Sequence, residues 1–103
     1  MPKRASALIA ATLALGAPCV LAQDDLTARN LAATCAGCHG TNGQARADMK
    51  PLAGMAADKT LAKLGAFKSG AERATVMHQI AKGYSDAQLA LIAGYFAAQK
   101  AAP

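Results

Sequence analysis

The 103-residue chain has no tryptophan, and its aromatic content is two phenylalanines and two tyrosines. With so few large apolar side chains it cannot build a conventional core from its own residues. It has no glycine-rich dinucleotide fingerprint, so any flavin must sit on another protein. Its basic residues are scattered, with no Arg/Lys cluster and no interleaved aromatics, which excludes a nucleic-acid-binding surface. Its longest uncharged apolar stretch, residues 5–17, is about 13 residues, short of the roughly 20 that a membrane-spanning helix needs. Cysteine is scarce too: Cys19, Cys35 and Cys38 are the only three.

The short apolar stretch has a clear reading as a leader. Lys3 and Arg4 precede it, and Val20-Leu21-Ala22 puts small residues at both critical positions before a cut at Gln23. Residues 1–22 therefore read as a cleaved signal peptide, leaving one domain at 23–103 and an expected periplasmic location. Cys19 falls in the removed segment. Pro18 before it is not the small residue that a lipoprotein cysteine requires, so Cys19 has no assigned role. The mature chain keeps Cys35 and Cys38, and no disulfide is expected.

Those two thiols belong to Cys35-Ala36-Gly37-Cys38-His39, the C-x-x-C-H acceptor for covalent haem. Thiols three positions apart on one helical turn can form thioethers to the two vinyl groups on one side of a porphyrin. His39 then lies under the iron, where a ring nitrogen becomes the proximal ligand. A thioredoxin-like reading of C-x-x-C wants a βαβ context, and no strand pattern is present. A zinc reading wants two further ligands, and only His78 remains after His39. One covalent haem c also supplies the apolar centre that the composition lacks, so the apo-chain is expected to be largely unfolded. The net charge of +5 is modest in effect. Loss of Lys3 and Arg4 leaves nine basic against six acidic side chains, a net of +3, and two haem propionates offset most of that.

The periodicity after residue 23 is helical throughout, giving an all-α fold. Asp24 and Asp25 favour the start of a first helix, and Ala28, Leu31, Ala32 and Cys35 form an i, i+3, i+4, i+7 stripe running into the haem motif. Residues 40–57 read as irregular. A second helix is expected over 58–67 with Leu61 and Leu64 inward, broken at Lys68-Ser69-Gly70. A third is expected over 72–82, stopped by Gly83 as a left-handed cap. Ser85 and Gln88 form a capping box for the last helix, whose inward face is Leu89, Ile92, Ala93 and Phe96. Gly94 is expected to allow close approach of another helix.

The order of first helix, C-x-x-C-H, loop, methionine and terminal helix with Tyr95-Phe96 resembles the class I c-type cytochromes. Lys68-Ser69-Gly70, Thr75-Val76-Met77, 80–85 (Ile-Ala-Lys-Gly-Tyr-Ser) and Ala93-Gly94-Tyr95-Phe96 are similar to the monohaem cytochrome subunits of flavocytochrome c sulfide dehydrogenases. That resemblance covers nearly all of 23–103. It implies a small class I fold, with N- and C-terminal helices packed together around one covalent haem, and Met77 as the distal iron ligand. One departure stands out. The family's loop carries Gly-Pro, whose proline carbonyl accepts from the proximal histidine. Here that part of the loop reads Arg46-Ala47-Asp48 and Pro51 comes later, so the partner of His39 is not legible.

Reach alone also separates the sixth-ligand candidates Met49, Met55, Met77 and His78. The chain must pass around the ring edge after His39. Met49 follows ten residues on, through a turn-rich loop, and Met55 is little better placed, whereas Met77 follows a helix and a turn. His78 cannot aim at the same iron as its neighbour Met77. A His/Met haem has no open coordination site, and the thioether favours Fe(II). The chain thus reads as a one-electron carrier, not an enzyme. Its partner would be a sulfide-oxidising flavoprotein subunit, or another redox protein if the carrier is free-standing. An open-site haem enzyme or sensor would require that Met77 not bind. Lys59, Lys63, Lys68 and Lys82 are a candidate docking ring, and residues 45–57, with Met49, Pro51, Leu52 and Met55, a candidate apolar interface. Tyr84, Tyr95 and Phe96 are candidate electron mediators, though Tyr95 and Phe96 read first as residues packing the terminal helices together and against the haem.

Overall fold

In the computed structural model, residues 20–101 are described. Most of the expected leader, and with it Cys19, lies outside them. Five helices follow one another: α1 (Val20–Ala33), α2 (Ala36–His39), α3 (Ala57–Ser69), α4 (Met77–Lys82) and α5 (Asp86–Ala97), with a 3-10 turn at Thr41–Gly43 after α2. No strand occurs among the described residues, in agreement with the all-α expectation.

The first and last helices pack against each other, and α3 packs on both α4 and α5. The expected inward face of α5 is buried: Leu89, Ile92, Ala93 and Phe96 are each 1–2 % exposed. From α1 it meets Ala28 and Ala32, also buried, with Leu31 and Cys35 at the margin of the cluster. Small side chains on α1 therefore give the close approach that Gly94 was expected to give. Gly94 lies about 100° around the helix from Ala93, is exposed, and has nothing within 4 Å of where a Cβ would stand. Gly94→Ala is accordingly expected to raise stability by about 0.5–1 kcal/mol, the helix-interior cost of glycine. A thermal melt of the holoprotein that shows no rise would mean that something else occupies this face.

Ser85 caps α5 as expected, its hydroxyl accepting from Gln88 N–H at 3.1 Å while Gln88 Oε1 accepts from Ser85 N–H at 2.8 Å. Gly70 ends α3 in the left-handed region at φ 85°. The third expected helix is shorter than 72–82. Glu72 is drawn back along α3, its amide donating to Ala66 O at 3.1 Å and its carboxylate pairing with Lys63 at 3.2 Å. Val76 is non-helical at φ −133°, ψ −25°, so helical geometry starts only at Met77. Gly83 is not a left-handed cap: its φ is −73°. The helix closes instead by tight turns, Gly83 N–H to Ile80 O and Tyr84 N–H to Ala81 O, and the chain enters the Ser85 cap directly. Leu61 is not inward either but 38 % exposed, and Thr60 takes the buried position beside it.

The loop between the 3-10 turn and α3 is stitched to α5. Gly43 O accepts from both Leu52 and Ala53 N–H, and Gly54 N–H donates to Phe96 O at 2.9 Å. Gly43 has φ 75°, and a Cβ there would stand 2.8 Å from the Phe96 ring and 2.7 Å from Ala53 N. No side chain fits.

Candidate haem-attachment site

The helix leading into the motif does not run straight through. Thr34 Oγ1 donates back to Leu31 O at 2.8 Å, a local bond that competes with helix continuation, and α1 ends at Ala33. Cys35 then caps a new turn, with Cys38 and His39 N–H directed to its carbonyl at 3.4 and 2.9 Å. Cys35, Cys38 and His39 thus share one turn. Cys35 and His39 are half-buried and Cys38 is exposed.

The thiol environment bears on which chemistry this pair suits. Burial pushes the Cys35 thiol up from its ordinary value, and a hydrogen bond with Thr34 pulls it down. The net rise leaves a neutral thiol, the opposite of the lowered value that activates redox C-x-x-C cysteines. Among the described residues no cluster of three or more His, Cys, Asp or Glu side chains is arranged to hold a metal ion.

His39 is held by a backbone carbonyl. Its Nδ1 lies 2.9 Å from Lys50 O. A carbonyl can only accept, so Nδ1 carries the proton, which leaves Nε2 with a lone pair for a metal. Sequence reasoning could not identify this partner. The available signal was Pro51, which restricts Lys50 before it to extended backbone and so helps to fix where the Lys50 carbonyl points. The donor set of two thiols and one imidazole Nε2 on a single turn fits a covalently held haem.

Of the distal candidates, Met49 is 42 % exposed in the loop. Met55 and Met77 are half-buried. Met77 opens α4 four residues before Ala81, which is fully buried, so the two share the inward face of that helix.

Two tyrosines, neither expected from the sequence to bond near the motif, bracket it. Tyr84 OH lies 2.6 Å from Thr34 Oγ1, and Tyr95 OH donates to Asn42 Oδ1 at 2.6 Å. One fastens the residue before Cys35, the other the turn after His39. The Tyr95 and Phe96 rings pack edge to face at 5.5 Å. The lysine ring is partly engaged: Lys63 pairs with Glu72, and Lys68 Nζ bonds Asp86 Oδ1 and Tyr84 O. Among the described residues no helix is long and apolar enough to cross a membrane.

The cytochrome c family model matches residues 27–99. The chain is 39 % identical over 66 residues to a cytochrome subunit of sulfide dehydrogenase from Chlorobaculum tepidum, the match covering 64 % of this chain and 60 % of that protein. It is 37 % identical over 71 residues to a cytochrome c-554(548) from Halomonas halodenitrificans, covering 65 % of this chain and 86 % of that one. The chain therefore belongs to the cytochrome c family, whose members carry haem c covalently and transfer electrons without catalysing a reaction of their own.

Proposed function

We propose that this cytochrome works in the periplasm as the cytochrome subunit of a sulfide-oxidising flavocytochrome c, after removal of residues 1–22. Cys35 and Cys38 form the thioethers, His39 Nε2 is the proximal iron ligand, and Met77 is the distal one. The observation that carries the site assignment is the bond from His39 Nδ1 to Lys50 O, 2.9 Å, because it commits the other nitrogen to the metal. Haem supplies reversible one-electron exchange at the iron. The chain's own residues hold its axial positions closed, so no substrate is activated here. The sulfide-derived electrons arrive from a separate flavoprotein, since this chain has no flavin-binding fingerprint, and leave to a soluble acceptor or the respiratory chain.

The relative from Chlorobaculum, a named sulfide dehydrogenase subunit, supports the assembly. The match spans less than two thirds of that relative. A free-standing carrier is the second reading, and the match to a cytochrome c-554(548) is compatible with it. The interface expected from 45–57 is only partly available: Ala53 is buried and Leu52 packs on the core, while Met49 and Pro51 remain exposed. Co-purification with the flavoprotein subunit separates the two readings. A complex that survives high salt, with haem reduced on adding sulfide, is the expected result. A monomer that neither binds the flavoprotein nor is reduced through it leaves the free carrier.

A further inference from the structure

We propose that Tyr84 is a positioning residue for the distal ligand. Its hydroxyl, donated to Thr34, fastens the turn after α4 to the residue before Cys35 and so holds the Met77 helix against the haem motif. The inference rests on Met77 being that ligand.

The donor assignment follows from valence. Thr34 has one hydroxyl proton, and it is directed to Leu31 O at 2.8 Å or to the Cys35 sulfur. In the 2.6 Å contact with Thr34 Oγ1 the proton must then come from Tyr84. The same tyrosine accepts at its carbonyl from Lys68 Nζ, 2.8 Å, and Lys68 also pairs with Asp86 at 2.9 Å. Its ring packs on the core cluster of Ala32, Leu89, Ile92 and Phe96. Tyr84 is thus the point where the end of α1, the end of α3, the end of α4 and the start of α5 are joined.

Such a tether matters because α4 cannot hold itself. It has six residues, far below the length at which an isolated helix persists. Its outer side is loosely seated, with Val76 53 % and Ile80 42 % exposed. At its front the chain leaves helical geometry at Val76. At its rear the first side-chain bond to another element is that of Tyr84. Across 50 residues of sequence this bond ties the segment bearing the distal ligand to the segment bearing the proximal one. Tyr95 makes a bond of equal length, but to Asn42, on the proximal side only.

Imidazole titration of the ferric holoprotein reads the tether directly, because imidazole reaches the iron only when the thioether has left. Its apparent affinity scales with the fraction of molecules that are open. Tyr84→Phe keeps the ring and deletes the bond. It is expected to bind imidazole about fivefold more tightly, the factor a typical net hydrogen bond represents. Thr34→Val should raise the affinity at least as much, since it also deletes the bond to Leu31 O, and the double variant should go no further than Thr34→Val alone, because the contact with Tyr84 is already lost. Tyr95→Phe should lower thermal stability and leave imidazole affinity unchanged. An unchanged affinity in Tyr84→Phe, additive effects in the double variant, or an equal rise in Tyr95→Phe overturns the proposal. A wild type without the sulfur-to-iron absorption band overturns the ligand assignment and this proposal together. A wild type with the band and unresponsive variants overturns this proposal alone.

Discussion

Replacing both Cys35 and Cys38 by Ala is expected to give a chain that retains no haem on a denaturing gel and shows no cooperative unfolding. The reason lies in the core. Among the described residues the buried apolar side chains are Ala28, Ala32, Ala53, Ala81, Leu89, Ile92, Ala93 and Phe96, and only three of these are larger than alanine. Full burial of a Leu, Ile or Phe contributes about 1.5–3 kcal/mol, while ordering each residue costs about 1.5 kcal/mol. A core of alanines around three large side chains cannot offset that cost over a domain of this size. The cofactor has to act as core, and the thioethers keep it there. Each single variant should weaken retention without abolishing it, because one thioether and His39 remain. Haem staining and far-UV circular dichroism check both statements. A double variant that melts cooperatively without haem would show the polypeptide to be self-sufficient. A wild type that gives up its haem to acidified acetone would remove the covalent assignment altogether.

What could be read from the sequence was what depends on neighbours along the chain. The capping box at Ser85 needs only residues three apart, and the buried face of α5 needs only the helical period, so both were visible. The C-x-x-C-H turn is equally local. What could not be read depends on contacts between distant residues. The late start of α4 follows from Glu72 being held to Lys63 and Ala66 on α3, and nothing within 72–82 announces that. Gly83 reads as a cap by residue type, yet the Ser85 cap so close behind it leaves no room for a left-handed excursion. The partner of His39 is a backbone carbonyl, which has no side-chain signature. The two tyrosine hydroxyls find acceptors 50 and 53 positions away, so a reading along the chain sees the rings and misses the bonds.

The distal ligand carries the other large effect. Met77→Ala is expected to open the sixth coordination position, so that the ferrous protein binds carbon monoxide and the ferric protein loses the weak sulfur-to-iron band at the red edge of the visible spectrum. The reduction potential should fall by a substantial part of the roughly 0.8 V over which axial ligands set haem potentials, because the thioether that favours Fe(II) is gone. Met49→Ala and Met55→Ala should do none of this. Met49 is an exposed loop side chain, and Met55 sits in the stitched loop whose amide bonds Leu52 O at 3.2 Å, on the same loop as the carbonyl that holds the proximal His39. Met77 instead sits on a separate helix, on the face shared with buried Ala81, and a methionine there with no role at the iron would be an ordinary flexible filler. The filler alternative makes a different prediction, since truncation would then cost thermal stability and leave the potential, the band and carbon monoxide binding as in the wild type. If instead Met55→Ala abolishes the band, the ring is approached from the loop side and the tether through Tyr84 has no ligand to hold.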